Sequence, residues 1–198
     1  MIVFAIIVTI SGVVLSNQST FNKTLVLSNT AYDIALSLRS AETYGISSRV
    51  SSGGIVNAGY GIHVETAESS SLVFFADTSP AASCSRPDCK PGDYAFVRGV
   101  DTIVQTYALG NGIRVSDFCA YNGSWTCASS PAGGLSVLDI VFERPNPDAY
   151  IHSGGTLYSK ACLTIISSQA QGTGRFISIA ASGQIVANAA SDPASCHE

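Results

Sequence analysis

The stretch Met1–Lys23, MIVFAIIVTISGVVLSNQSTFNK, decides how the rest of the chain is read. Its first fifteen residues are apolar except for Thr9, Ser11 and Gly12, and no basic residue precedes Lys23. As a helix, fifteen residues reach about 22 Å, short of the roughly 30 Å hydrocarbon core of a bilayer. A cleaved signal peptide needs a basic start and a small-x-small cleavage site, and neither is evident. A complete anchor needs about 20 residues. The remaining expectation is an apolar helix whose span is completed by residues ahead of Met1.

The helical pattern continues beyond this prefix. No proline occurs before Pro80. Leu27, Ala31, Ile34, Leu38 and Ala41 draw one stripe down a helix, and Leu25, Tyr32 and Leu36 lie off it on a second face. Tyr44-Gly45 is the expected stop, with glycine at C′. The chain therefore divides into an apolar assembly or membrane helix over 1–24, an amphipathic half over 25–45 and a globular β-rich head over 46–198. The stripe is expected to pack on the head. The surface carrying Ile2, Phe4, Ile6, Ile7, Ile10, Val13, Val14 and Leu15 is expected to project, sheltered by lipid or by copies of itself.

Composition narrows the class. Charged residues are 12% and hydrophobic ones 46% of the 198 residues, with a net charge of −4. High apolar content with low net charge argues against disorder. Ten scattered Lys and Arg offer no basic run to neutralise phosphates, so no nucleic-acid contact is expected. The cysteines are Cys84, Cys89, Cys119, Cys127, Cys162 and Cys196. None forms a C-x-x-C pair or stands at ligand spacing from a histidine, so disulfides in an oxidising compartment are expected. The expected pairs are Cys84–Cys89, Cys119–Cys127 and Cys162–Cys196.

Beyond Gly45 the periodicity changes to two. Strands are expected at 61–66, 72–76, 94–97, 102–109, 113–118, 135–143, 161–166, 175–180 and 184–188. Gly110-Asn111-Gly112 and Ser182-Gly183 read as tight hairpin turns, and Pro145 and Pro147 end a strand. The expected fold is α+β: a long N-terminal helix whose apolar half projects and whose amphipathic half packs on an antiparallel sheet, with disulfide-stapled loops.

The sequence carries no recognisable pattern for chemistry. His63, His152 and His197 have no positioned nucleophile, and no G-x-S-x-G, H-E-x-x-H, P-loop or EF-hand pattern occurs. The histidines are expected to be exposed polar side chains, and Glu143-Arg144 a strand-end ion pair or solvated charge. No catalytic residue, metal ligand or cofactor is expected. Asn17, Asn22 and Asn122 head N-x-S/T triplets. Trp125 either caps the core beside a disulfide or presents an adhesive aromatic ring.

The segments IVFAIIVTISGVVLSNQSTFN and SNTAYDIALSLRSAETYGISSRV resemble the N-terminal helix of type IV pilins and type II secretion pseudopilins, in the minor-pilin-like branch. GYGIHVETAESSSLVFFADT, LDIVFERPNPDAYI and GRFISIAASGQIVAN resemble the hairpins and central strand of such heads. The family's leading residues, a cleavage-site glycine, then Phe or Met, then a glutamate, have no counterpart here. Met1 corresponds to about the sixth mature position. The resemblance implies a structural subunit that polymerises through its apolar helix. Its partners would be copies of itself in a helical filament, other pilins, the inner-membrane assembly machinery, and the membrane before assembly. Its location would be an extracellular filament at the cell surface, reached through the cytoplasmic membrane. A membrane-anchored binding module that never polymerises is the other reading.

Overall fold

The computed structural model describes residues 2–47, 50, 54–55, 57–80, 90–131, 133–168 and 174–190, with the side chains of all of these except 5, 8, 9, 13–22, 189 and 190. Helix α1 runs over Ile2–Ile46, 45 residues and about 67 Å at the usual rise. The strands are β1 Gly59–Glu65, β2 Ser71–Asp77, β3 Thr102–Ala108, β4 Ile113–Tyr121, β5 Trp125–Cys127 and β6 Val137–Phe142. They continue with β7 Ala149–Ser153, β8 Thr156–Tyr158, β9 Lys160–Ser167, β10 Gly174–Ala180 and β11 Ile185–Ala190.

These strands form two antiparallel sheets, and this overturns the expected α+β arrangement of one helix on one sheet. The first has the order β3-β2-β1-β6-β7-β8 and the second β11-β10-β9-β4-β5. The chain is mostly β, and α1 is the only helix longer than a single turn among the described residues. The turn at Gly110-Asn111-Gly112 explains the difference. All three residues have left-handed φ, of 60°, 49° and 68°. They do not close a hairpin but carry the chain from β3 in one sheet to β4 in the other. Tyr94–Val97 is not a strand either. Tyr94 has φ 67°, a conformation incompatible with an extended ladder. By contrast, Gly183 at φ 80° does turn a hairpin, between β10 and β11.

Helix α1 lies against β1 and β6 of the first sheet and β9, β10 and β11 of the second. Leu27, Ala31, Ile34, Leu38 and Ala41 are all buried there, with Leu27, Leu38 and Ala41 at 0% exposure. They share one core with Tyr60, Ile62, Leu138, Ile140, Leu163 and Ile177. Isolated helices gain little from propensity alone, so this burial is what holds α1 in place. The helix passes through Tyr44-Gly45, the expected stop, and ends at Ile46. Gly45 serves a close approach instead: a Cβ there would collide with the Phe142 carbonyl of β6.

The first sheet is buried on its other face too. Val73, Phe75 and Val141 form a second cluster, covered by Tyr94, Phe96 and Tyr150. This is why β2 reads as a run of apolar residues rather than a clean alternation.

Leu36 and Leu38 offer a direct contrast, at 65% and 0% exposure two residues apart on α1. Leu38→Ala is expected to lower the unfolding free energy by about 2–5 kcal/mol, and Leu36→Ala by less than about 0.5 kcal/mol, in urea titrations followed by circular dichroism.

Candidate functional site

The first turns of α1 carry the largest concentration of exposed apolar side chains among the described residues. Ile2, Val3 and Phe4 are 78%, 70% and 74% exposed, and Ile6, Ile7 and Ile10 are 51%, 56% and 59% exposed. Val13, Val14 and Leu15 lie on the same helix, but their side chains are outside the described set. Monomeric proteins rarely leave contiguous apolar surface in water, and such a patch marks an interaction site. No helix among the described residues is long and apolar enough to cross a membrane.

Further along α1, Leu25, Tyr32 and Leu36 are exposed at 44%, 64% and 65%. Leu36 borders a groove of about 380 Å³ between α1 and the β2–β3 edge, with Ile34, Leu72, Tyr107 and Leu109 on its walls. The sequence marks the helix side of this groove through the second apolar face. It gives no hint of Tyr107 or Leu109, whose positions depend on the fold of the first sheet.

Cys119 lies directly opposite Cys127 on β4 and β5, and the two are joined by a disulfide. Cys162 is also disulfide-bonded. Cys84, Cys89 and Cys196, and with them the expected pairs Cys84–Cys89 and Cys162–Cys196, fall outside the described residues. Asp117, Cys119 and Cys127 gather their ligand-type atoms within 4.8 Å of one another. With both sulfurs in one disulfide, no thiolate is left to bind a cation there. Trp125 is half-buried in β5, its ring 5.4 Å from that of Tyr121.

His63 is not exposed, contrary to expectation. It is 5% exposed, its Nδ1 stands 2.7 Å from Asp139 Oδ1, and its ring packs 4.7 Å from Phe96. Burial raises the Asp139 carboxyl above its usual range, against the opposing pull of His63. His63 on β1 and Asp139 on β6 are cross-strand partners within the first sheet, with Phe96 packed over the imidazole. His152 is half-buried, with no hydrogen-bond partner at Nδ1, and His197 lies outside the described residues. Glu143 is buried rather than solvated. It accepts hydrogen bonds from Lys90 Nζ at 2.9 Å and from the Tyr94 hydroxyl at 3.2 Å. Arg144 donates to the side-chain oxygen of Asn57.

Buried carboxylates tie the segment 90–101 to the outer face of the first sheet. Asp101 accepts N–H bonds from Thr78, Ser79 and Val97 at 3.0, 3.0 and 2.7 Å. Asp77 accepts from Tyr94 at 2.8 Å and, more weakly, from Asp93 at 3.4 Å. Burial pushes the Asp77 carboxyl up to about 8 against the opposing Tyr94 N–H bond, with the Asp101 and Asp93 charges adding to the rise. Comparisons with protein-family models, curated proteins and solved structures return no match.

Because the Asp77 pKa is raised on folding, its protonated form is favoured in the native state. That contribution is complete below about pH 4, the unfolded value, and is lost as pH rises through about 8. The unfolding free energy of the native chain relative to Asp77→Asn is therefore expected to fall between pH 4 and pH 8 and to level off above. A difference independent of pH would show that Asp77 is ionised in both states.

Proposed function

We propose that this chain is a structural subunit of an extracellular type IV pilus or pilin-like filament, polymerising through its N-terminal helix. The observation that carries this reading is the exposure of Ile2, Val3, Phe4, Ile6, Ile7 and Ile10 on a helix whose far half is locked in the head. A surface so placed cannot fold back onto its own domain. It needs lipid or another subunit to exclude water. The resemblance of the helix sequence to pilins and pseudopilins supports the second of these once the subunit leaves the membrane.

Burying about 300 Å² of this surface against each neighbour contributes roughly 7 kcal/mol before the entropy of association is subtracted. The apolar turns of one copy meet a different surface on the next, along with Leu25, Tyr32 and Leu36. Such contacts are heterologous and propagate without closing, which gives a filament rather than a ring. Partners are then copies of the chain, other pilins, the inner-membrane assembly machinery and, before assembly, the membrane. No chemistry is required of the subunit.

Phe4→Asp and Ile7→Asp test the reading, because each places a charge in the contact surface far from the head. Electron microscopy of sheared surface material is expected to show no filaments from either variant. Circular dichroism of the purified variants is expected to match the native head. Normal filaments from either one would overturn the proposal.

A further inference from the structure

Among the N-x-S/T triplets, Asn17 and Asn22 stand inside α1, whereas Asn122-Gly123-Ser124 forms the turn between β4 and β5. On a helix, residues two apart do not face each other. Gly123, at φ 80°, reverses the chain, and the Asn122 N–H donates to the Ser124 carbonyl at 3.1 Å across the turn. Asn122, Gly123 and Ser124 are all exposed. Among the described residues the Asn122 Nδ2 is held by a 3.5 Å hydrogen bond to the Leu157 carbonyl, which is readily given up. The Cys119–Cys127 disulfide clamps the base of the hairpin, and disulfides of this kind persist in oxidising compartments.

We propose that Asn122 is an acceptor for an N-linked glycan. The donor is a polyprenyl-pyrophosphate-linked oligosaccharide, brought by an oligosaccharyltransferase. The Asn122 Nδ2 forms a bond to C1 of the first sugar, and the bond from C1 to the pyrophosphate oxygen breaks. The polyprenyl pyrophosphate leaves with the bonding pair, and the amide gives up one proton to the transferase. The Ser124 hydroxyl is the second recognition element of the triplet. The Tyr121 and Trp125 rings beside the turn give the first sugar an apolar surface to rest on.

The test uses the folded, disulfide-intact chain with a purified oligosaccharyltransferase and its lipid-linked donor. An unstructured acceptor peptide of the same triplet in the same tube serves as the positive control. Mass spectrometry of the tryptic peptide beginning at Val115 is expected to show the glycan on the native chain and on Ser124→Thr. The signal is expected to fall to background in Asn122→Gln and Ser124→Ala, and to be unchanged in Asn17→Gln. A bare peptide from the native chain beside a modified control, or modification at Asn17 or Asn22 with Asn122 untouched, would overturn the proposal.

Discussion

The burial of one side of α1 against both sheets is the contact on which the rest of the molecule depends. Leu27, Ala31, Ile34, Leu38 and Ala41 enter a core built from strands of each sheet, so the helix joins the two layers rather than covering one. Gly45 lets the last turn come close enough to Phe142 for that seam to shut. Because the helix is continuous, fixing its far half also fixes where its near half goes. Among the described residues of its first turns, the side chains of Ile2, Val3, Phe4, Ile7 and Ile10 are left more than half exposed. The same helix thus answers to two environments, a protein core at one end and an apolar partner at the other.

The head is held together in a way that does not involve that partner. The outer face of its first sheet is closed by the segment 90–101, whose aromatic side chains Tyr94 and Phe96 pack on Phe75, Val141 and Tyr150. Its backbone N–H groups are taken up by Asp77 and Asp101. Asp101 offsets the burial of its charge with three N–H bonds, whereas Asp77, with one strong and one weak, is favoured in its protonated form up to about pH 8. A head closed in this way can be carried on a projecting helix without being altered when the helix is engaged.

The helix was readable in the sequence because its period is long and uninterrupted: the stripe from Leu27 to Ala41 has one structural meaning. The division into two sheets was not. A Gly-Asn-Gly turn supplies left-handed φ equally well for a hairpin and for a crossover, so Gly110–Gly112 could not reveal which sheet receives β4. Strands β5 and β8 have three residues each, too few to show a period. His63 looked solvent-facing because its burial depends on Asp139 of a distant strand and Phe96 of a distant loop. The apolar character of Ile2, Phe4, Ile6, Ile7 and Ile10 was plain. What the fold adds is that all five are more than half exposed and outside the core of the described residues.

Sedimentation of the chain with its leading residues intact, over a range of concentrations in detergent-free buffer, tests the central claim most directly. Self-association that grows with concentration and is reversed by mild detergent is the expected result. A monomer at every concentration would mean that the projecting turns of α1 shelter no neighbour, and would contradict the account.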